Sequence, residues 1–163
     1  MEKDPTLSFR ETIGIKHVFG YRTDFKSSIL LHWDNSSIIY PAGNVIVIDN
    51  NENKPQKFIH CDLGTRGISC MCLSPSRRFL AFGEIAEPPI IVVYDLKYDK
   101  RVKTLQSFDV KQSSTIVSID FSRTAEHKYL IALSGAPEYQ LLHFDWNKSR
   151  QLSITPIKVA HEL

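Results

Sequence analysis

The stretch Ile68-Ser69-Cys70-Met71-Cys72-Leu73-Ser74-Pro75-Ser76-Arg77-Arg78-Phe79-Leu80-Ala81, followed ten residues on by Ile91-Val92-Val93-Tyr94-Asp95, decides the fold. An apolar run closes on a serine, a polar turn follows, and the chain resumes with an aromatic residue, Leu and Ala. The same order returns at Ser118-Ile119-Asp120-Phe121-Ser122, at Lys128-Tyr129-Leu130-Ile131-Ala132 and at Leu141-Leu142-His143-Phe144-Asp145. Upstream, Val45-Ile46-Val47-Ile48-Asp49 is a third copy of the segment that ends in Asp. Asp49, Asp95 and Asp145 lie 46 and 50 residues apart. A period in the forties with four strands per unit is the sequence signature of a β-propeller blade.

Outward from that stretch the signal is strand throughout, because short runs of Val, Ile, Phe and Tyr alternate with clusters of Gly, Pro, Asn, Asp and Ser. Twelve strands are expected: 29–33, 37–40, 45–49, 57–61, 68–73, 79–83, 90–95, 102–107, 116–121, 129–133, 141–145 and 151–155. Runs such as Ile90 to Tyr94 are apolar on both faces, so each sheet must be covered on both sides, as stacked blades achieve. The last strand of a unit, as in Lys57-Phe58-Ile59-His60 and Val102-Lys103-Thr104-Leu105, alternates with charge and suits an outer edge. The expected fold class is therefore all-β, with about three four-stranded antiparallel blades of an incomplete propeller.

Composition agrees with a globular chain: 163 residues, 42% hydrophobic and 23% charged, with a net charge of +2 and no block of five like charges. A nucleic-acid or membrane surface is not expected from that balance, and the longest apolar runs are far short of a membrane helix. Three cysteines, Cys61, Cys70 and Cys72, leave an odd thiol, which favours a reducing, intracellular setting. Cys70 and Cys72 are two apart on one strand and should face the same neighbouring blade as small buried groups, a better fit than zinc ligation with His60 and Cys61.

These motifs resemble a WD repeat, with Tyr94-Asp95, Ile48-Asp49 and Phe144-Asp145 standing where Trp-Asp usually falls. The chain departs from the pattern before the inner strands, where Asp62-Leu63-Gly64-Thr65-Arg66-Gly67 replaces the usual Gly-His pair, so the His-to-Asp network of typical blades has no evident counterpart. The stretches His17-Val18-Phe19-Gly20-Tyr21-Arg22-Thr23-Asp24, Ile39-Tyr40-Pro41-Ala42-Gly43-Asn44-Val45-Ile46-Val47 and Gln56-Lys57-Phe58-Ile59 are similar to the opening of the cilia- and flagella-associated protein 57 family. That resemblance implies a structural adaptor of the axoneme in motile cilia, near the inner dynein arms, in the cytoplasm and cytoskeleton.

Chemistry is not signalled. The sequence has no Gly-x-Ser-x-Gly elbow, Gly-rich phosphate loop or His-Glu-x-x-His helix. Glu84 and Glu87 fall in the stretch Glu84-Ile85-Ala86-Glu87-Pro88-Pro89 and read as a solvated loop; Asp95 and Asp99 flank a turn. The run Lys97-Tyr98-Asp99-Lys100-Arg101-Val102-Lys103 reads as a hairpin and its protected edge strand. No catalytic, cofactor or metal residue is assigned, no cofactor is expected, and nucleic-acid and membrane partners are not expected.

Partner contacts are expected at the loops that join one blade to the next and at those between second and third strands. The candidates are Asp62, Thr65, Arg66, Glu84, Glu87, Pro88, Lys111, Gln112, Glu138 and Tyr139. Residues 1–28 form a lead-in and 29–163 a partial propeller, with blades at about 29–61, 68–107 and 116–155. Known propellers close with four to eight blades, so the last blade should carry an exposed apolar face through which the chain self-associates. Two other readings stand beside the ciliary one: a WD-repeat scaffold unrelated to cilia, and a propeller hydrolase using channel carboxylates, for which Asp120 is the sole acidic candidate in an inner strand.

Overall fold

Three antiparallel sheets of four strands each make up the computed structural model, which describes residues 15–18, 20, 27–50, 54–107, 109–124 and 126–158. Blade 1 contains β1 (Leu30–Leu31), β2 (Ser37–Ala42), β3 (Val45–Asn50) and β4 (Lys57–His60). Blade 2 contains β5 (Ile68–Leu73), β6 (Phe79–Glu84), β7 (Ile90–Asp95) and β8 (Lys100–Gln106). Blade 3 contains β9 (Ile116–Phe121), β10 (Tyr129–Ser134), β11 (Gln140–Asp145) and β12 (Arg150–Pro156). In every sheet the strands pair in chain order, so each blade is a meander from its inner to its outer strand. The expected lead-in falls mostly outside the described residues.

The repeated serine and aspartate have a local cause. Ser74 and Ser122 close the first turn of their blades: the Phe79 and Tyr129 backbone N–H groups donate to these hydroxyls at 3.0 and 3.1 Å. Asp95 closes the last turn, its carboxylate accepting from the backbone N–H of Lys97 at 3.0 Å and of Tyr98 at 3.2 Å. Asp145 accepts from Lys148 N–H at 3.3 Å in the same way. Asp and Ser side chains satisfy backbone donors in tight turns, which is why these types recur at these positions. In blade 1 Asp34 takes the turn-closing role, accepting from the N–H of Ser36 and Ser37.

Two cores hold the blades together face to face. Ile39, Ile46 and Ile48 of blade 1 pack against Met71, Leu80, Phe82 and Val92 of blade 2. Cys70, Ala81, Ile91 and Val93 of blade 2 pack against Ile119, Leu130, Leu142 and Phe144 of blade 3. Cys72 joins the same core as Cys70, so the two thiols do face one neighbouring blade. Burial pushes the Cys70 and Cys61 thiols up to about 12 and Cys72 well above its ordinary value, leaving all three neutral. Gly83 lies in the tightest part of this contact: a Cβ there would stand 3.0 Å from Ile116 Cβ and 2.9 Å from Ser69 Oγ.

Four details differ from expectation. The first strand shrinks to two residues because Asp34 draws His32 to Ser37 into a turn closed by the 2.9 Å bond from His32 N–H to Ser37 O. The outer strands β8 and β12 start earlier than expected, and each carries a bulge opposite its partner strand. Glu84 is not in a solvated loop: it ends β6 with no exposed surface, its carboxylate held by Arg101 and by Asp62 N–H. Arg101 is not a solvated edge cation, since it lies half-buried at β8 and is ion-paired.

Candidate protein-interaction face

The four connecting segments 61–67, 85–89, 109–115 and 135–139 meet at one end of the blades, joined by backbone hydrogen bonds. Arg66 N–H donates to Ile85 O at 2.9 Å, and Ile85 N–H to Gly67 O at 2.8 Å. Ala86 N–H reaches across to Ser114 O at 3.1 Å, and Gly135 N–H to Thr115 O at 2.9 Å. The last of the chain's candidate loops is tied in by Lys111 N–H donating to Glu138 Oε2 at 2.9 Å. Backbone bonds of this kind give the loops one geometry and reduce the entropy lost on docking.

The ten candidates fall into two groups. Asp62, Thr65, Arg66, Glu84, Glu87 and Pro88 cluster beside blade 2, while Lys111, Gln112, Glu138 and Tyr139 cluster beside blade 3. A depression of about 460 Å³ lies in the first group, lined by Asp62, Leu63, Gly64, Thr65, Arg66, Ala86, Glu87 and Ile90. Arg66 and Glu87 make an exposed ion pair of 2.9 Å across its rim. Leu63 stands wholly exposed beside it. Thr65 and Glu84 are buried and offer no side chain to a partner from this face.

Beneath the face runs an arrangement that the sequence reading missed. Arg101 donates to Asp62 and, at 3.3 Å, to Glu84, and Asp62 N–H donates to both Glu84 carboxylate oxygens at 3.3 Å. Burial raises the Glu84 carboxyl above its ordinary value, and the Asp62 N–H and Arg101 guanidinium oppose that rise. The equivalent residue of blade 3, Gln151, donates to Asp109 Oδ2 at 3.0 Å, again from an outer strand to the preceding connection. In blade 1 Gln56 accepts from Val18 N–H at 2.8 Å and donates to Asp49 Oδ2 at 3.0 Å. Gln56, Arg101 and Gln151 stand seven, six and six residues after the repeat aspartates, a spacing that carried the signal. Each blade thus grips the segment that precedes it, where a Gly-His pair would otherwise serve.

The channel side is lined by inner strands. A cavity of about 910 Å³ opens between β5 and β9, and among the described residues Asp120 and Arg123 are the only Asp, Glu, Lys, Arg or His side chains on its wall. Among the described residues no group of three or more His, Cys, Asp or Glu is placed to hold a metal ion.

Comparison with known proteins places this architecture. No protein-family model matches the chain. Cilia- and flagella-associated protein 57 A of Tetrahymena thermophila is 36% identical over 214 aligned positions, covering 100% of this chain and 16% of the relative. Cilia- and flagella-associated protein 57 of Mus musculus is 33% identical, covering 85% of this chain and 11% of its own length. The chain therefore spans about a sixth or less of these relatives. Among solved structures, that of the RRP9 WD40 repeats superposes with a TM-score of 0.62 at 14% identity, covering 77% of this chain and 37% of the other. Repeat, blade topology and structural similarity agree on the fold: the chain is built of WD40-type β-propeller blades, and in sequence it is similar to cilia- and flagella-associated protein 57.

Proposed function

We propose that the chain is a noncatalytic scaffold of the axoneme in motile cilia or flagella, presenting its connecting loops to protein partners that include components near the inner dynein arms. The observation that carries this reading is the 36% identity to a cilia- and flagella-associated protein that extends over the whole chain. The hydrogen-bonded loop face supports it, because a platform fixed before docking loses little entropy on binding. The blade 3 surface that faces away from blade 2 supplies a second contact, through which copies of the chain self-associate.

The test is location. Tagged at its own locus in a ciliated cell, the protein should remain with the axoneme after detergent extraction, in register with inner-arm markers. A signal confined to the detergent-soluble cytoplasm or the nucleus would defeat the ciliary reading.

A further inference from the structure

The face opposite the connecting loops has a charge that the net +2 of the chain conceals. It is built from the first and last turns of each blade, which lie together: Leu96 N–H donates to Arg78 O at 2.9 Å in blade 2, and Trp146 Nε1 donates to His127 O in blade 3. Blade 2 brings Arg77, Arg78, Lys97 and Lys100 to this end, and blade 3 brings Arg123, Lys128, Lys148 and Arg150. Against these eight cations stand four carboxylates, of which Asp95 and Asp145 are buried beneath the turns at 2% and 4% exposure. Lys97, Lys100, Arg123, Lys148 and Arg150 are exposed and make no ion pair among the described residues. The connecting-loop end of the same two blades is nearly balanced: Asp62, Glu87, Asp109 and Glu138 face Arg66, Lys111 and Lys158, and Asp62 and Glu87 are ion-paired.

The blade 2 cations are also held in place. Tyr98, 60% exposed, carries Arg78 at 5.1 Å, Lys97 at 5.7 Å and Lys100 at 5.8 Å from its ring centre. Arg77 is fixed from blade 1 by Asn35 Oδ1 at 2.7 Å. Ring and amide contacts of this kind limit the side-chain freedom that a charged partner would otherwise have to freeze.

We propose that this turn face is a second docking surface, which takes an acidic, glutamate-rich protein segment. Asp99 and Glu126 interrupt the cations, so the surface suits carboxylates spaced along a peptide better than a continuous phosphate backbone. The sequence pI of about 8.4 is below the range of domains that bind nucleic acid by charge. The inference does not depend on the ciliary reading.

The experiment is an anisotropy titration of the full chain with a labelled peptide of alternating glutamate and glycine, at low and at physiological ionic strength. Binding should weaken with salt, and the double reversal K97E/K148E should weaken it about tenfold. K100Q/R150Q, which removes charge without adding any, should weaken it in the same direction and covers the case in which the reversal does not fold. E87K/E138K, on the other face, should leave affinity within about twofold of the unaltered chain. The proposal is overturned by no peptide binding at low salt, by equal loss in E87K/E138K, or by tighter binding of an oligouridine than of the peptide.

Discussion

Ile131 holds in blade 3 the register position that Ala81 holds in blade 2, yet Ala81 is fully buried and Ile131 is 45% exposed. Both sit on the second strand of their blade, Ala81 between Cys72 and Val93, Ile131 between Asp120 and His143. Blade 3 covers Ala81; nothing among the described residues covers Ile131. Leu141, 38% exposed, repeats the contrast with buried Ile91. A blade face with no neighbour packed on it leaves such side chains in water, whereas in a closed propeller every blade has two neighbours.

The proposed self-association uses that face. Sedimentation velocity should show the 163-residue chain shifting to larger species with concentration, and I131E/L141E should sediment as a monomer with unchanged circular dichroism. Loss of apolar contact at two such positions removes a few kcal/mol from an interface. A chain that is monomeric at every concentration would show that the face is not used this way.

Removal of the Arg101 guanidinium should be costly because it strands a buried carboxylate. R101M is expected to lower unfolding free energy by about 3 kcal/mol. The double variant E84Q/R101M should lose less than the sum of the two single changes, because a neutral amide in place of the Glu84 carboxylate needs no counter-charge. Urea denaturation of the four proteins closes the cycle; additive losses would mean that the two side chains are not coupled.

Acid and alkaline slopes of stability should have separate owners. Burial alone would raise the Asp95 carboxyl, but the Arg78 guanidinium and the N–H groups of Tyr98 and Lys97 hold it below its ordinary 3.8. Around and below that value the unfolded chain binds more protons at Asp95 than the folded one, so its stabilisation is present above it and is lost as pH falls. Glu84 has the opposite sign: its raised carboxyl makes the fold lose stability as pH rises from 4.5 through the folded value. Chemical denaturation across pH should show D95N flattening the acid limb and E84Q flattening the fall just above 4.5. An unchanged acid limb in D95N would contradict the assignment.

Blade contact at Gly83 leaves no room for a side chain. G83V should destabilise by about 1–3 kcal/mol as Ile116 and Ser69 are pushed away. By contrast S149G, at an exposed turn with φ of 51°, should raise stability by up to about 1 kcal/mol, since glycine enters that region without strain. Melting temperatures of the two variants, displaced in opposite directions, check both.

How far the fold was legible follows from what repeats. Asp95 and Asp145, Ser74 and Ser122, and the apolar runs between them each answer a local need that recurs from blade to blade, so periodicity alone located twelve strands, most of them to within about two residues. Glu84 was misread because a carboxylate beside Pro88 and Pro89 looks like a loop until its partners are known. Those partners, Asp62 and Arg101, lie 22 and 17 residues away, and only the packing of blade 1's connection onto blade 2 brings them together. The basic turn face escaped notice for the same reason: Arg77, Lys97 and Lys148 are dispersed in sequence and converge only when turns align. The candidate loops were legible as loops, whereas the burial of Thr65 and Glu84 within them was not.

The most direct test of the scaffold reading is proximity labelling in ciliated cells with this chain fused to the labelling enzyme at its own locus. Enrichment of inner dynein arm and neighbouring axonemal proteins over a cytoplasmic control is the expected result. Enrichment of nuclear or membrane complexes, with axonemal proteins at control level, would contradict it.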